Sequence, residues 1–134
     1  NKKRVYCNML QRAEIGSGVT SIGNRAFYSC SSLSSITIPE SVTSIGNRAF
    51  YNCSSLSSIT IPESVTSIGD YVFENCYGMA EYHLKPTTPP TLGTNAFSGI
   101  PSDCIIYVPA GSLSVYQTAT NWSTYANYMQ EEAE

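Results

Sequence analysis

The chain writes the same 23 residues twice in succession. Residues 19 to 41 read VTSIGNRAFYSCSSLSSITIPES and residues 42 to 64 read VTSIGNRAFYNCSSLSSITIPES, with Ser29 against Asn52 as the one difference. A tandem unit of this size limits the fold before any other feature does. Each copy must take the same local structure and bury itself against its neighbour. In the first unit the apolar positions are Val19, Ile22, Ala26, Phe27, Cys30, Leu33, Ile36 and Ile38, closed by Pro39, and the second repeats them from Val42 to Pro62. A third, degraded unit carries Val65, Ile68, Val72, Phe73, Cys76, Met79, Tyr82 and Leu84, with Pro86 one place late. An inserted residue in KPTTPPTLG shifts the register, and Leu92, Ala96, Phe97, Ile100, Ile106, Val108 and Pro109 continue it. Half a unit, Cys7, Leu10, Ala13 and Ile15, precedes the first full copy.

Two local patterns lie inside each unit. Ile36 and Ile38 are two apart and point to one face of a short strand. Ala26, Phe27 and Cys30 sit at helical spacing after the turn signal Gly23-Asn24, and Pro39 blocks continuation of the strand. One unit is therefore expected to hold one short strand, a turn and one short helical turn. Alone it cannot bury its apolar side. Stacked on copies of itself it can, with Phe27 beside Phe50 and Phe73, and Ile36 beside Ile59. The predicted fold is an α/β repeat solenoid.

Composition narrows the function. The chain has 134 residues, a net charge of −3 and 13% charged residues. That excludes a broad nucleic-acid surface and leaves the polar surface to Ser, Thr, Asn and Tyr. No apolar run approaches the about 18 residues of a membrane span, and NKKRVYCNML lacks the apolar region of a signal peptide. Cys7, Cys30, Cys53 and Cys76 recur every 23 residues, and Cys104 falls outside that register. Zinc sites want closely spaced Cys pairs or His partners, so no metal is expected. Parallel Cβ directions oppose disulfides between neighbouring coils, so the expectation is a reduced, buried ladder of small apolar filler.

The string Val-x-x-Ile-Gly-x-x-Ala-Phe-x-x-Cys-x-x-Leu-x-x-Ile-x-Ile-Pro stands at Val19 to Pro39 and again at Val42 to Pro62. It resembles the BspA-like leucine-rich repeat, over roughly residues 7 to 109. The tail from Ile105, with YVPAGS, is similar to the closing segment of such proteins. Departures are Tyr71 for Arg, Tyr82 for Ile, and Asp103 where Leu is expected; the asparagine ladder of ordinary leucine-rich repeats is missing. The resemblance implies a right-handed, leucine-rich-repeat-like superhelix with a strand-lined concave face. It also implies a secreted or surface-attached module for adhesion or host-protein binding.

The expected layout is a partial N-terminal repeat over 1–17, a four-coil solenoid over 18–109 and a helical cap and tail over 110–134. Ser112 is expected to cap a helix starting at Leu113. Trp122, Tyr125, Ala126 and Met129 form an amphipathic stripe that reads as a lid, and the terminal EEAE is expected to fray. At the other end a strand near Leu10 to Ile15 is left with unpaired backbone, with Lys2, Lys3 and Arg4 discouraging pairing. Edge-to-edge self-association, or further repeats before Asn1, is the expectation there.

Catalytic signatures are missing: His83 is the only histidine, and no nucleophile elbow or phosphate loop occurs. A dyad of His83 with Cys76 is opposed by strand alternation, which sends His83 outward. No cofactor and no enzyme activity are expected. NCS at Asn52 and NWS at Asn121 fit the glycosylation sequon, read as coincidence because Ser29 replaces Asn52 in the sister copy. Two surfaces remain as candidate ligand sites. On the strand face Ser34, Ser35 and Thr37 stack beside Ser57, Ser58 and Thr60, then Ala80, Glu81 and His83. A second ridge aligns Arg25 with Arg48 and Tyr28 with Tyr51, near Asn24 and Asn47. Arg and Tyr are better interface material than small hydroxyls. The expected partner is a protein, such as a host extracellular-matrix or plasma protein; the alternative is a spacer within a larger surface protein that binds nothing itself.

Overall fold

The computed structural model of the chain describes residues 7–133. Lys2, Lys3 and Arg4, invoked above as edge protectors, lie outside the described residues. The chain winds as a solenoid of about five turns with small helical content. Each full coil carries two short strands. β2 (Ser21–Ile22), β4 (Ser44–Ile45), β6 (Ser67–Ile68) and β8 (Thr91–Leu92) form one parallel sheet in that order. On a second side, β1 (Arg12–Glu14) pairs with β3 (Ser35–Thr37). There, too, β5 (Ser58–Ile61), β7 (Glu81–Leu84), β9 (Ile105–Val108) and β10 (Met129–Glu131) follow in parallel. No ladder joins β3 to β5. The β2 family was not foreseen, because its two-residue rungs are too short to show an alternation.

The segment expected as a helical turn is instead a run of tight turns. Its geometry is set by two left-handed residues per coil. Arg25, Arg48, Tyr71 and Asn95 hold φ of 60°, 55°, 57° and 52°; Ser29, Asn52, Asn75 and Gly99 hold 55°, 60°, 63° and 81°. Ala26, Phe27 and Cys30 fit helical spacing, but the left-handed Arg25 before them and Ser29 between Phe27 and Cys30 stop a helix from propagating. These turns form a third ladder. The N–H groups of Arg25, Phe27 and Ser29 donate to the carbonyls of Asn47, Ala49 and Tyr51 one coil on, at 2.7–2.9 Å. The next coils repeat this through Arg48, Phe50 and Asn52, then Tyr71, Phe73 and Asn75. Apart from the unjoined step between β3 and β5, backbone polar groups on three sides are thus satisfied between coils, which leaves the interior to apolar side chains.

In that interior the phenylalanines stack. Phe27–Phe50, Phe50–Phe73 and Phe73–Phe97 ring centroids lie 5.3, 5.5 and 5.6 Å apart with planes within 11°. The in-register burial expected from the sequence is what holds the coils together. Asn24, Asn47 and Asp70 add a side-chain ladder not anticipated above: each Oδ1 accepts the N–H of Asn47, Asp70 and Thr94 in turn, at 2.8, 2.7 and 2.9 Å. Gly46 follows from it, since a Cβ there would lie 2.6 Å from the Asn24 nitrogen.

The cysteine ladder is only partly reduced. Cys7 and Cys30 are joined in a disulfide, with Cα atoms 4.6 Å apart, so the expectation of a fully reduced column fails at its first rung. That separation falls within the range a disulfide spans, and the stacking distance outweighs the parallel Cβ directions. Cys53, Cys76 and Cys104 are free and buried. The thiols of Cys53 and Cys76 donate to the carbonyls of Phe27 and Phe50.

The C-terminal lid exists but is built differently from the expectation. α1 spans Leu113–Thr118, yet Ser112 makes no side-chain cap; its hydroxyl donates to the Thr87 carbonyl instead. The stripe Trp122, Tyr125, Ala126, Met129 is not one helix. Residues Ser123–Tyr128 are 3-10, kinked at Tyr125, and Met129 opens β10. Three anchors hold this lid to carbonyls of the loop before β8 and of β8 itself: Tyr116 OH on Pro86, Trp122 Nε1 on Pro90 and Asn121 Nδ2 on Leu92, at 2.6, 2.8 and 2.7 Å. Nor is the terminus loose through residue 132: Glu131 accepts the Gly111 N–H, and the Glu132 N–H donates to Val108.

Candidate functional site

The ridge arises from the turn ladder. Arg25 and Arg48 occupy one left-handed position in successive coils, and Tyr28 and Tyr51 the position three residues on. Left-handed backbone suits Asn or Gly, and Asn95 fills this place in the fourth coil; Arg and Tyr there cost about 1–2 kcal/mol each. The structure brings the four residues together. Tyr28 stacks on Tyr51 at 4.8 Å with planes 7° apart. The Arg25 guanidinium sits 5.8 Å from the Tyr28 ring centre, and Arg48 lies 4.5 Å over Tyr71, a residue the sequence reading treated only as a departure. Ring stacking fixes the flexible arginines while leaving their N–H forks free. Among the described residues neither arginine is paired with a carboxylate. Tyr28 is exposed, as is Tyr77 further along.

The strand face follows the register. Arg12 pairs with Ser35, and Ser58 with Glu81 and Ile105; in the next column Glu14 pairs with Thr37, and Thr60 with His83 and Tyr107, each column broken where β3 meets β5. Ser35, Thr37, Ser58 and Thr60 are exposed, while the intervening Ile36 and Ile59 are buried. Between its charged first rung, Arg12 and Glu14, and its last rungs this face is small and polar. In the last rungs His83 stacks on Tyr107 at 5.0 Å and has a carboxylate on each ring nitrogen, Glu132 at Nδ1 (2.8 Å) and Glu81 at Nε2 (2.7 Å). Desolvation of the ring lowers its pKa, but the hydrogen bonds to Glu132 and Glu81, with the charges of both, outweigh it and raise it above 6.5. Glu132 and Tyr107 were missed by the sequence reading. The strand register carried a signal for Tyr107, whereas nothing local marked Glu132. The two candidate surfaces belong to different sides of the coil and do not merge into one site.

Buried thiols offer little chemistry. Burial pushes Cys53 and Cys76 up to about 12 and Cys104 to about 11, so none carries thiolate near neutrality. Cys76 lies in the core column, and His83 faces out from β7, where Tyr82 points in. Among the described residues no cluster of metal-ligating side chains occurs, and no helix is long and apolar enough to cross a membrane.

Comparison with known proteins gives one family. The model of the BspA type leucine rich repeat region matches residues 3–125, in six copies. A solved leucine-rich repeat protein from Bacteroides ovatus is 34% identical, with a TM-score of 0.63, over 77% of this chain and 30% of that one. A leucine-rich repeat protein of T. pallidum is 31% identical, with a TM-score of 0.70, over 78% of this chain and 49% of that one. The chain thus spans about a third and about half of the lengths of these two proteins. None of the curated proteins matches it.

Proposed function

Because the chain belongs to the BspA-type leucine-rich repeat family, we propose that it is a protein-binding module of a secreted or surface-attached protein, with no catalytic activity of its own. Its partners would be host proteins such as those of the extracellular matrix or plasma. The observation that carries this reading is the ridge of Arg25, Tyr28, Arg48 and Tyr51. It presents two arginines without acidic partners among the described residues, steadied by aromatic rings, on backbone that disfavours them. Residues of this kind concentrate binding energy at interfaces. The strand-face group, Ser35, Thr37, Ser58, Thr60, Glu81 and His83, is a secondary contact area.

A spacer reading has its own support: the two near-identical copies stack in register through β2 and β4 and present mostly small hydroxyls on the strand face, which adds length without adding anchors. One experiment separates the two. The immobilised chain is probed with matrix and plasma proteins. Saturable binding that drops at least about tenfold in Arg25→Ala/Arg48→Ala and in Tyr28→Ala/Tyr51→Ala supports the module. Binding by no probe, or binding indifferent to both double variants, favours the spacer.

A further inference from the structure

His83 is the one histidine of the chain, and its ring is held between two acceptors. Ionised carboxylates accept hydrogen bonds and cannot donate them, while a neutral imidazole has one N–H and one lone pair. Both contacts, Nδ1 to Glu132 Oε1 at 2.8 Å and Nε2 to Glu81 Oε1 at 2.7 Å, are therefore satisfied together only by the imidazolium. Every element around it adds to the setting. β7 contributes Glu81, and Lys85 just after it lies 3.7 Å from Glu132. β9 contributes the stacked Tyr107, β5 the neutral Thr60, and the end of β10 leads into Glu132. Glu132 also ties its own backbone to Val108 at 2.7 Å. The carboxylate that His83 grips thus belongs to the segment that closes the sheet over β9.

We propose that His83 is a pH-responsive latch that fastens the end of β10 to the sheet when its ring is protonated and loosens it when the ring is neutral. Loss of the proton leaves a lone pair facing one carboxylate. Lys85 is too distant to replace a hydrogen bond. The part loosened is residue 132, just past the strand that covers the β9 edge, while the Met129–Glu131 ladder to β9 stays in place. The sign follows from linkage: the folded chain holds His83 above the ordinary 6.5, so the latch is complete below that value and is lost as pH rises through the raised one. The latch does not depend on the chain being a binding module.

The test uses the whole chain. Hydrogen exchange of the Glu132 amide, corrected for the pH dependence of intrinsic exchange, is followed from about pH 5.5 to about pH 8.5, with the Phe73 amide as the core reference. His83 is titrated by NMR in the native chain and in Glu132→Gln. The expected result is a pKa lower in Glu132→Gln than in the native chain. Glu132 protection should fall with pH by tenfold for each unit of that difference, while Phe73 stays constant. In Glu132→Gln and His83→Gln the residue 132 amide should be pH-independent; unchanged Trp122 fluorescence verifies that both variants fold. Equal His83 titration in the two chains, or native protection at Glu132 that does not vary with pH, overturns the latch.

Discussion

The two copies of the repeat differ by one residue yet live in different environments. Val19 is 37% exposed and Val42 0%. Ala26 is exposed and Ala49 buried; Phe27 is half-buried, and Phe50 lies between two rings. A Cβ on Gly23 would meet nothing within 4 Å, whereas on Gly46 it would strike the coil before it. Identical sequence therefore does not carry identical energy. In a solenoid each coil is stabilised by the interfaces on its two sides, and the first full copy has one well-packed interface where the second has two. The lesson is that a residue's importance here is set by its place in the stack.

The largest effect should come from the phenylalanine column. Phe50→Ala should cost about 3–5 kcal/mol, a large part of the about 5–15 kcal/mol expected for a domain. Phe27→Ala should cost about 1–2 kcal/mol, since its ring is buried on one side. Urea unfolding followed by Trp122 fluorescence reads both, and equal losses would break the comparison. The glycines should differ in sign. Gly46→Ala must push backbone apart and should destabilise by about 1–3 kcal/mol. Gly23→Ala has open space and should be neutral or stabilising by up to about 1 kcal/mol, through a less flexible unfolded chain. Thermal melts of the two variants side by side are sufficient.

The asparagine ladder offers a case where the copies should behave alike. The Oδ1 of Asn24 serves Asn47, and that of Asn47 serves Asp70, so each has a coil after it to hold. Asn24→Ala and Asn47→Ala should each cost about 1 kcal/mol. If only the second is felt in a melt, the ladder is not what supports these corners.

Much of this was legible in the sequence, for one reason. Phe27, Phe50 and Phe73 recur at a fixed interval, and a fixed interval of large apolar residues has few solutions other than stacking. Tyr28 against Tyr51 followed from the same interval. What was not legible falls into two kinds. The turns were misread as helical because Arg25, Arg48 and Tyr71 hide a left-handed position; the parallel column Ser29, Asn52, Asn75, Gly99 did carry the signal, since Asn and Gly recurring at one place mark positive φ. The His83 cluster was half-read, because Glu132 reaches it from 49 residues away, and no local pattern predicts a contact made by the closing of a lid.

The cysteines separate the copies by their chemistry as well as by their burial. Cys30 and Cys53 stand in equivalent places, but Cys30 is bonded to Cys7, while Cys53 keeps its thiol and donates it to Phe27. The coil before each residue decides its chemistry: Cys30 meets a sulfur that is not otherwise engaged, and Cys53 meets one already in a disulfide. Thiol titration in denaturant should count three groups without reductant, the free Cys53, Cys76 and Cys104, and all five after reduction. In the folded chain the three should react slowly near neutrality, because burial holds Cys53 and Cys76 near 12 and Cys104 near 11. A fast-reacting native thiol would mean that a coil opens at that rung, and mass mapping of the labelled residue would show which. Five thiols before reduction would mean that the first copy's cysteine is no different from the second's, and that the stack imposes less on its first rung than the burial of its neighbours implies.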